Sequence, residues 1–256
     1  MKTVFLVALL AHVIYALATR RTERRERTWK MTVVAVALQT PAFLLACWFA
    51  VGQGAFSRDL VSPLYIALGL LTGHAVFALS LVAIDLSPRN ALWHLADVQG
   101  VWDFAVNCPL VLRHVLGVSV AEEIIWRVGA QTILAAKLSG AFGRLGTAAG
   151  VVVVAIGFSV VHRHFLKNAL RESVEFLAFS ALLGVLYCWS QSLILVVVLH
   201  ALRNLEIAYL EYQIKVEELG DPERAAQMIE EEHLPPRRRG GARVDQGARE
   251  TACNTT

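Results

Sequence analysis

From Met1 to Leu210 the chain is a succession of apolar blocks, each close to the length that crosses a bilayer: 1–18, 31–52, 61–85, 110–137, 146–165, 173–190 and 191–210. A hydrocarbon core about 30 Å thick takes roughly 20 apolar residues of α-helix to cross. The expected fold is therefore all-α: a polytopic transmembrane helix bundle of about seven spans with a polar C-terminal tail. Composition agrees, with 56% hydrophobic and only 18% charged residues. A soluble domain lies nearer half and a quarter. The net charge of +3 gives no reason to expect a nucleic-acid partner, because the basic residues sit in membrane-flanking loops and the tail. The four cysteines, Cys47, Cys108, Cys188 and Cys253, are scattered without a CxxC and suggest neither a disulfide framework nor a cysteine zinc site.

The ends and loops set the orientation. "ALA" at 16–18 fits a small-residue signal-peptidase site. Against cleavage stand Arg20, Arg21, Arg24, Arg25, Arg27 and Lys30 just downstream, a cluster that resists translocation. We read 1–18 as a first span with its N-terminus outside. Seven spans then put 20–30, 86–109, 163–172 and the C-terminus in the cytoplasm, and the basic residues of 20–30 and "HRHFLKNALR" agree. Segment 86–109, with Trp93, His94, Trp102 and Phe104, reads either as an interfacial amphipathic helix or as a loop capped by aromatics. The last two spans are joined by a tight turn at "WSQS". Beyond Tyr212 the chain turns polar and later Pro- and Gly-rich. Its first half is expected to extend the last helix into water and its second half to be disordered. Cys253 lacks the aliphatic followers of a prenylation box, since Asn254 and Thr255 come next.

Strongly polar side chains inside the spans are the functional signal, because an unpaired charge there is costly. Block 110–137 holds Glu122, Glu123 and Arg127, with Arg113 and His114 near its start. Glu123 and Arg127, four apart, share a helix face and can pair. Glu122 is offset by about 100° and lacks that partner. Phe158 and His162 are again four apart, as are His200 and Asn204. Three helices thus each offer a polar side chain with a same-face neighbour to orient it. The bland alternatives are a structural Glu–Arg clasp and hydrogen-bonded helix contacts, to which we assign His74 and His12. His164, nearer water, reads as a loop histidine and the substitute for His162 if the register is off.

"EEIIWR" (122–127), "FSVVH" (158–162) and "HALRN" (200–204) match in order the motifs EExxxR, FxxxH and HxxxN. Together they resemble the CaaX prenyl-protease type II and bacteriocin-processing (CPBP, also Abi) family of intramembrane proteases. The resemblance covers about 110–210, and Val128 stands where many members have Gly. It divides the chain into N-terminal spans and an interfacial segment (1–109), catalytic-core helices (110–212) and a polar, largely disordered cytoplasmic tail (213–256).

What the resemblance implies is peptide-bond hydrolysis within the membrane. Glu122 would be the general base, and Glu123 and Arg127 would hold the helix in register. His162, His200 and Asn204 would position water and stabilise the oxyanion. Glu122, His162 and His200 also suffice on paper for a zinc site with an open position. With no HExxH, and Glu123 committed to Arg127, the metal-free glutamate mechanism is expected, with no cofactor. The implied partners are the lipid bilayer and a membrane-embedded or lipid-tethered peptide. The implied location is integral membrane, read from composition as the bacterial inner membrane. The competing classes are a non-catalytic scaffold or bacteriocin-immunity protein of the same family and, behind it, a proton-coupled transporter.

Overall fold

The computed structural model describes residues 1–19, 29–57, 59–83, 89, 96–162 and 170–233. The described residues form helices and turns with no strand. In order these are α1 (Lys2–Ala18), α2 (Trp29–Gly52), α3 (Pro63–Ala83), α4 (Val98–Asn107), α5 (Pro109–Glu123), a π-helical segment (Ile124–Gln131), α6 (Thr132–Phe142), α7 (Arg144–Val161), α8 (Leu170–Ser190), α9 (Leu193–Leu219) and α10 (Pro222–His233). Five of them, α2, α3, α7, α8 and α9, are long and apolar enough to cross a membrane. A sixth span follows if α4 and the rod Pro109–Phe142, bent 89° from each other, count together. The 17-residue α1 is apolar but shorter. The chain is thus an integral membrane helix bundle close to the expected size. Leu44 and Trp48 on α2, with Leu64 and Leu71 on α3, point outward where lipid replaces water as solvent.

Close helix approach depends on small residues, because lipid offers no hydrophobic drive between helices. Gly69 and Gly73 lie on the face of α3 against α9. A Cβ added at Gly69 would come within 2.9 Å of the Leu195 carbonyl, and one at Gly73 within 3.1 Å of that of Leu199. The expected turn at "WSQS" is tight: Gln191 adopts φ 53°, and Ser192 caps α9 by accepting from the Leu195 N–H. The main core gathers Phe5, Ile125, Trp126, Phe158, Leu183 and Leu199.

One open reading closes and one expectation changes in part. Trp93, His94 and His164 lie outside the described residues, as do 20–28 and 234–256. In the rest of 86–109, however, Val98–Asn107 is a helix started by the Asp97 carboxylate, which accepts from Gly100 N at 2.9 Å. Phe104 faces inward from it and Trp102 outward. After Tyr212 the expected extension of the last helix is present, but the chain then folds back. It continues α9 to Leu219, turns at Gly220 (φ 63°), and folds back as α10. A short apolar stripe explains this: Ala225, Ala226 and Ile229 bury against a second core of Phe104, Tyr209 and Tyr212.

Candidate active site

The glutamate pair ends α5, and the π-helical segment starts at the next residue. Every residue from Ile124 to Gln131 is buried. The Thr132 hydroxyl donates to the Arg127 carbonyl five residues back at 3.2 Å, following the wider turn. Such π turns are less favourable than α turns and recur at functional sites. Here the segment is pinned from several sides. Gln131 donates to the Gly184 carbonyl at 2.7 Å. Trp126 meets the Phe158 ring edge-on at 5.7 Å.

The two glutamates take different partners. Arg127 Nε donates to Glu123 Oε2 at 3.0 Å, and neither side chain has any exposure. The second terminal nitrogen of Arg127 donates to Ser180 Oγ on α8 at 3.1 Å. The other oxygen of Glu123, Oε1, lies 2.8 Å from His200 Nδ1. A carboxylate already held by a guanidinium can only accept, so His200 carries its proton on Nδ1. His200 Nε2 is then turned toward Glu122 Oε2, 3.7 Å away. On the other side of Glu122, Oε1 lies 3.1 Å from His162 Nε2. His162 caps the end of α7, and its Nδ1 faces the Phe158 carbonyl at 2.8 Å. A carbonyl only accepts, so Nδ1 is protonated, and a single further proton is shared between His162 Nε2 and Glu122. Glu122 (15% exposed) and His162 (25%) reach the open side, whereas Glu123, Arg127 and His200 are dry.

Phe158 is the hub of the packing. Its ring is fully buried, sits 4.2 Å from the His162 ring and 5.8 Å from that of His200, and lies under Arg127 at 5.4 Å. Both the ring and the carbonyl of this one residue therefore fix His162.

A cavity of about 570 Å³ opens onto this cluster, with Gln39, Thr40 and Phe43 of α2 on one wall and Arg113, Gly117 and Glu122 of α5 on the other. A smaller cavity of about 240 Å³ lies beyond α5 and includes Asn204, His114, Ile207 and His233.

Of the six candidate residues, the structure brings Glu122, Glu123, Arg127, His162 and His200 together. It does not bring Asn204 to them. Asn204 faces the smaller cavity and makes no side-chain hydrogen bond among the described residues. Sequence reasoning missed that Glu123 serves His200 as well as Arg127, and it missed Ser180. A serine inside an apolar span was the available signal for the latter. His74 pairs with Glu206, as assigned. No group of three or more His, Cys, Asp or Glu side chains among the described residues is arranged to hold a metal ion.

Residues 104–205 match the family described as Type II CAAX prenyl endopeptidase Rce1-like. That stretch runs from α4 into α9, holds all six candidate residues, and is the family that the three motifs resemble. The match supports a CAAX-type, protease-like role in the membrane. No curated protein and no solved structure matches the chain.

Proposed function

We propose that this relative of the type II CAAX prenyl endopeptidases is an intramembrane endopeptidase. It hydrolyses a peptide bond of a membrane-associated or lipid-tethered peptide, with water activated by Glu122. The observation that carries the reading is the unequal use of the glutamate pair. Glu123 is neutralised in a dry clasp, while Glu122 lines the larger cavity and keeps an oxygen 3.7 Å from His200 Nε2. A water beside this pair, reached from the cavity, can donate to both Glu122 Oε2 and His200 Nε2. Glu122 takes a proton from that water as oxygen attacks the scissile carbonyl, and returns it to the leaving amine as the C–N bond breaks. Positioned general bases of this kind contribute about 10²–10⁴ in rate. Once Glu122 holds that proton, the Nε2–H of a protonated His162 is released from it to donate to the developing oxyanion, and donors there are usually the largest catalytic contribution. Asn204, one turn past His200, supplies a neutral donor when its amide turns from the smaller cavity. No metal is needed in this scheme. The basic loops support an N-terminus outside and a C-terminus in the cytoplasm, so that peptide enters from the cytoplasmic side, and composition suggests a bacterial inner membrane.

The test is cleavage of an internally quenched peptide bearing an S-prenyl cysteine by the full chain in liposomes, with and without a zinc chelator. Glu122→Gln is expected to lose about 10³-fold or more at equal protein level, and the chelator to change nothing. Full activity in Glu122→Gln sinks the catalytic role, and loss of wild-type activity with chelator replaces it with a metal mechanism.

A further inference from the structure

The α5 wall of the larger cavity has a definite order. Arg113, Gly117 and Ala121 follow one another at four-residue steps, so they share one face, and Glu122 comes directly after Ala121. All four line the cavity. A Cβ added at Gly117 would meet nothing within 4 Å. Glycine is a poor helix former beside alanine, so its place inside α5 leaves room in the cavity rather than helping the helix. From Arg113 to Glu122 the axis of α5 advances about 13 Å at 1.5 Å per residue. An extended peptide at about 3.3 Å per residue covers that distance with about four residues.

Two polar groups on these walls are unspent. Gln39 on α2 and Arg113 on α5 make no side-chain hydrogen bond or ion pair among the described residues. The two buried arginines differ, since Arg127 is held by Glu123 and Arg203 by Glu175. Polar side chains elsewhere in the spans do not reach this cavity. His74 pairs with Glu206, and His12, whose buried Nδ1 has no partner among the described residues, lies on neither cavity wall. An arginine near the end of a membrane helix ordinarily reaches out to lipid phosphate. Arg113 instead shares a cavity with Glu122, and the opposite wall offers the Gln39 amide and the Thr40 hydroxyl. Those groups suit a peptide main chain rather than acyl chains. A guanidinium can only donate, and the anion that a peptide brings to it is a carboxylate.

We propose that Arg113 is a specificity-determining residue that binds a carboxylate carried by the peptide about four residues from the scissile bond. The peptide runs over Gly117 and Ala121 between Arg113 and Glu122. Its carboxylate is the chain terminus or an acidic side chain, and the guanidinium fork fits either. Arg113 is exposed, so solvent screening keeps the preference moderate. The inference rests on the protease reading of the site.

The experiment uses the full chain in phosphatidylcholine liposomes with three S-prenyl peptides: one with a free C-terminal carboxylate, one amidated, and one amidated with glutamate as its last residue. Wild type is expected to favour at least one acidic peptide over the neutral amide by about 5- to 20-fold in kcat/KM, mainly through KM. Preference for the free acid assigns the chain terminus, and preference for the glutamate peptide assigns a side chain. Arg113→Gln should bring the ratio of acidic to neutral peptide to about one, and Arg113→Lys should keep part of it. Arg113→Glu should turn the preference toward an amidated peptide ending in lysine. No acid preference in wild type, or an undiminished one in Arg113→Gln, overturns the proposal. So does a loss in Arg113→Gln that is equal for all peptides and varies with added anionic lipid, which would make Arg113 a headgroup anchor. Gly117→Val, whose added atoms enter the cavity, should weaken every peptide alike without lowering the thermal midpoint; undiminished binding there overturns the path over Gly117. Anisotropy of the labelled acidic and amidated peptides on Glu122→Gln protein, with and without Arg113→Gln, keeps the proposal separate from the protease reading. Loss of the acid preference with Arg113→Gln supports it and equal preference overturns it, whereas undiminished cleavage by Glu122→Gln removes only the protease reading.

Discussion

Among the described residues two carboxylate–guanidinium pairs, Glu175–Arg203 and Glu123–Arg127, sit among the apolar helices, and they use their atoms differently. In Glu175–Arg203 one terminal arginine nitrogen spans both carboxylate oxygens at 2.9 and 2.8 Å, and Ser80 adds a second donor at 2.6 Å. The guanidinium lies over Phe179 at 4.4 Å. That pair spends both carboxylate oxygens within itself and ties α3, α8 and α9, although Arg203 Nε is buried without a hydrogen-bond partner among the described residues. In Glu123–Arg127 the arginine takes only one oxygen, through Nε, and the other is spent on His200 Nδ1. The pair is also wholly buried, whereas Glu175 is 26% exposed. One clasp therefore holds helices together, and the other, by leaving an oxygen for an imidazole, also decides which nitrogen of His200 faces Glu122.

The comparison breaks most visibly at Glu123. Removing one member of a buried pair leaves an uncompensated charge and costs about 3–5 kcal/mol, so Glu123→Gln and Arg127→Gln should each lower the thermal midpoint sharply. Cleavage per folded molecule should fall by about 10²-fold in Glu123→Gln, because His200 loses the acceptor that sets its tautomer. The double variant Glu123→Leu with Arg127→Met separates the two contributions. Apolar replacement of a whole buried pair is often neutral for stability, so the midpoint should recover while cleavage stays low. Recovery of both would make Glu123 a purely structural residue like Glu175.

That split was only half legible in the sequence. The convergence of three helices follows from intramembrane polar residues at four-residue spacings, and Glu122, His162 and His200 do meet. The π-helical segment was not legible, because "IIWRVGAQ" has no Gly–Pro or capping signal that would shift a hydrogen-bond register. The shift is coupled to contacts from distant helices, such as that of Gln131 with Gly184. Nor could spacing tell which face of α9 Asn204 presents once that helix is packed by Gly69 and Gly73 of α3. The return of α10 rests on three small or medium apolar residues in a polar stretch, a stripe too narrow to outweigh composition.

A smaller effect is expected at the helix contact beside the Glu123–Arg127 clasp. A methyl at Gly129 would meet Phe5 Cζ at 2.5 Å and the Ala46 Cβ at 3.2 Å. Gly129→Ala should cost about 1–3 kcal/mol through overpacking and lower cleavage by displacing the π-helical segment. The obstructing atom is the far end of a side chain, so Phe5→Leu added to Gly129→Ala should restore part of both. Gly69→Ala makes the matching test for the Glu175–Arg203 clasp. There the obstruction is the Leu195 backbone carbonyl at 2.9 Å, which no side-chain change can relieve, and the loss should appear in stability alone. A cleavage defect in Gly69→Ala that exceeds its loss of folded protein would show that α9 carries strain from one clasp to the other.

The least effect on chemistry should come from Glu175→Gln. The variant keeps the shape and the Ser80 contact but gives up the charge facing Arg203, and the pair is partly exposed. A loss of roughly 1–3 kcal/mol in stability is expected, with kcat and KM per folded molecule unchanged at a temperature where the variant stays folded. The sharpest objection runs through Phe179, which lies under Arg203 and also meets the His200 ring edge-on at 5.7 Å. If releasing Arg203 lets that ring move, His200 moves with it and kcat falls without a matching fall in stability. That outcome would make the two clasps a single support for His200. An unchanged kcat would leave Glu123 as the one carboxylate whose second oxygen does chemical work.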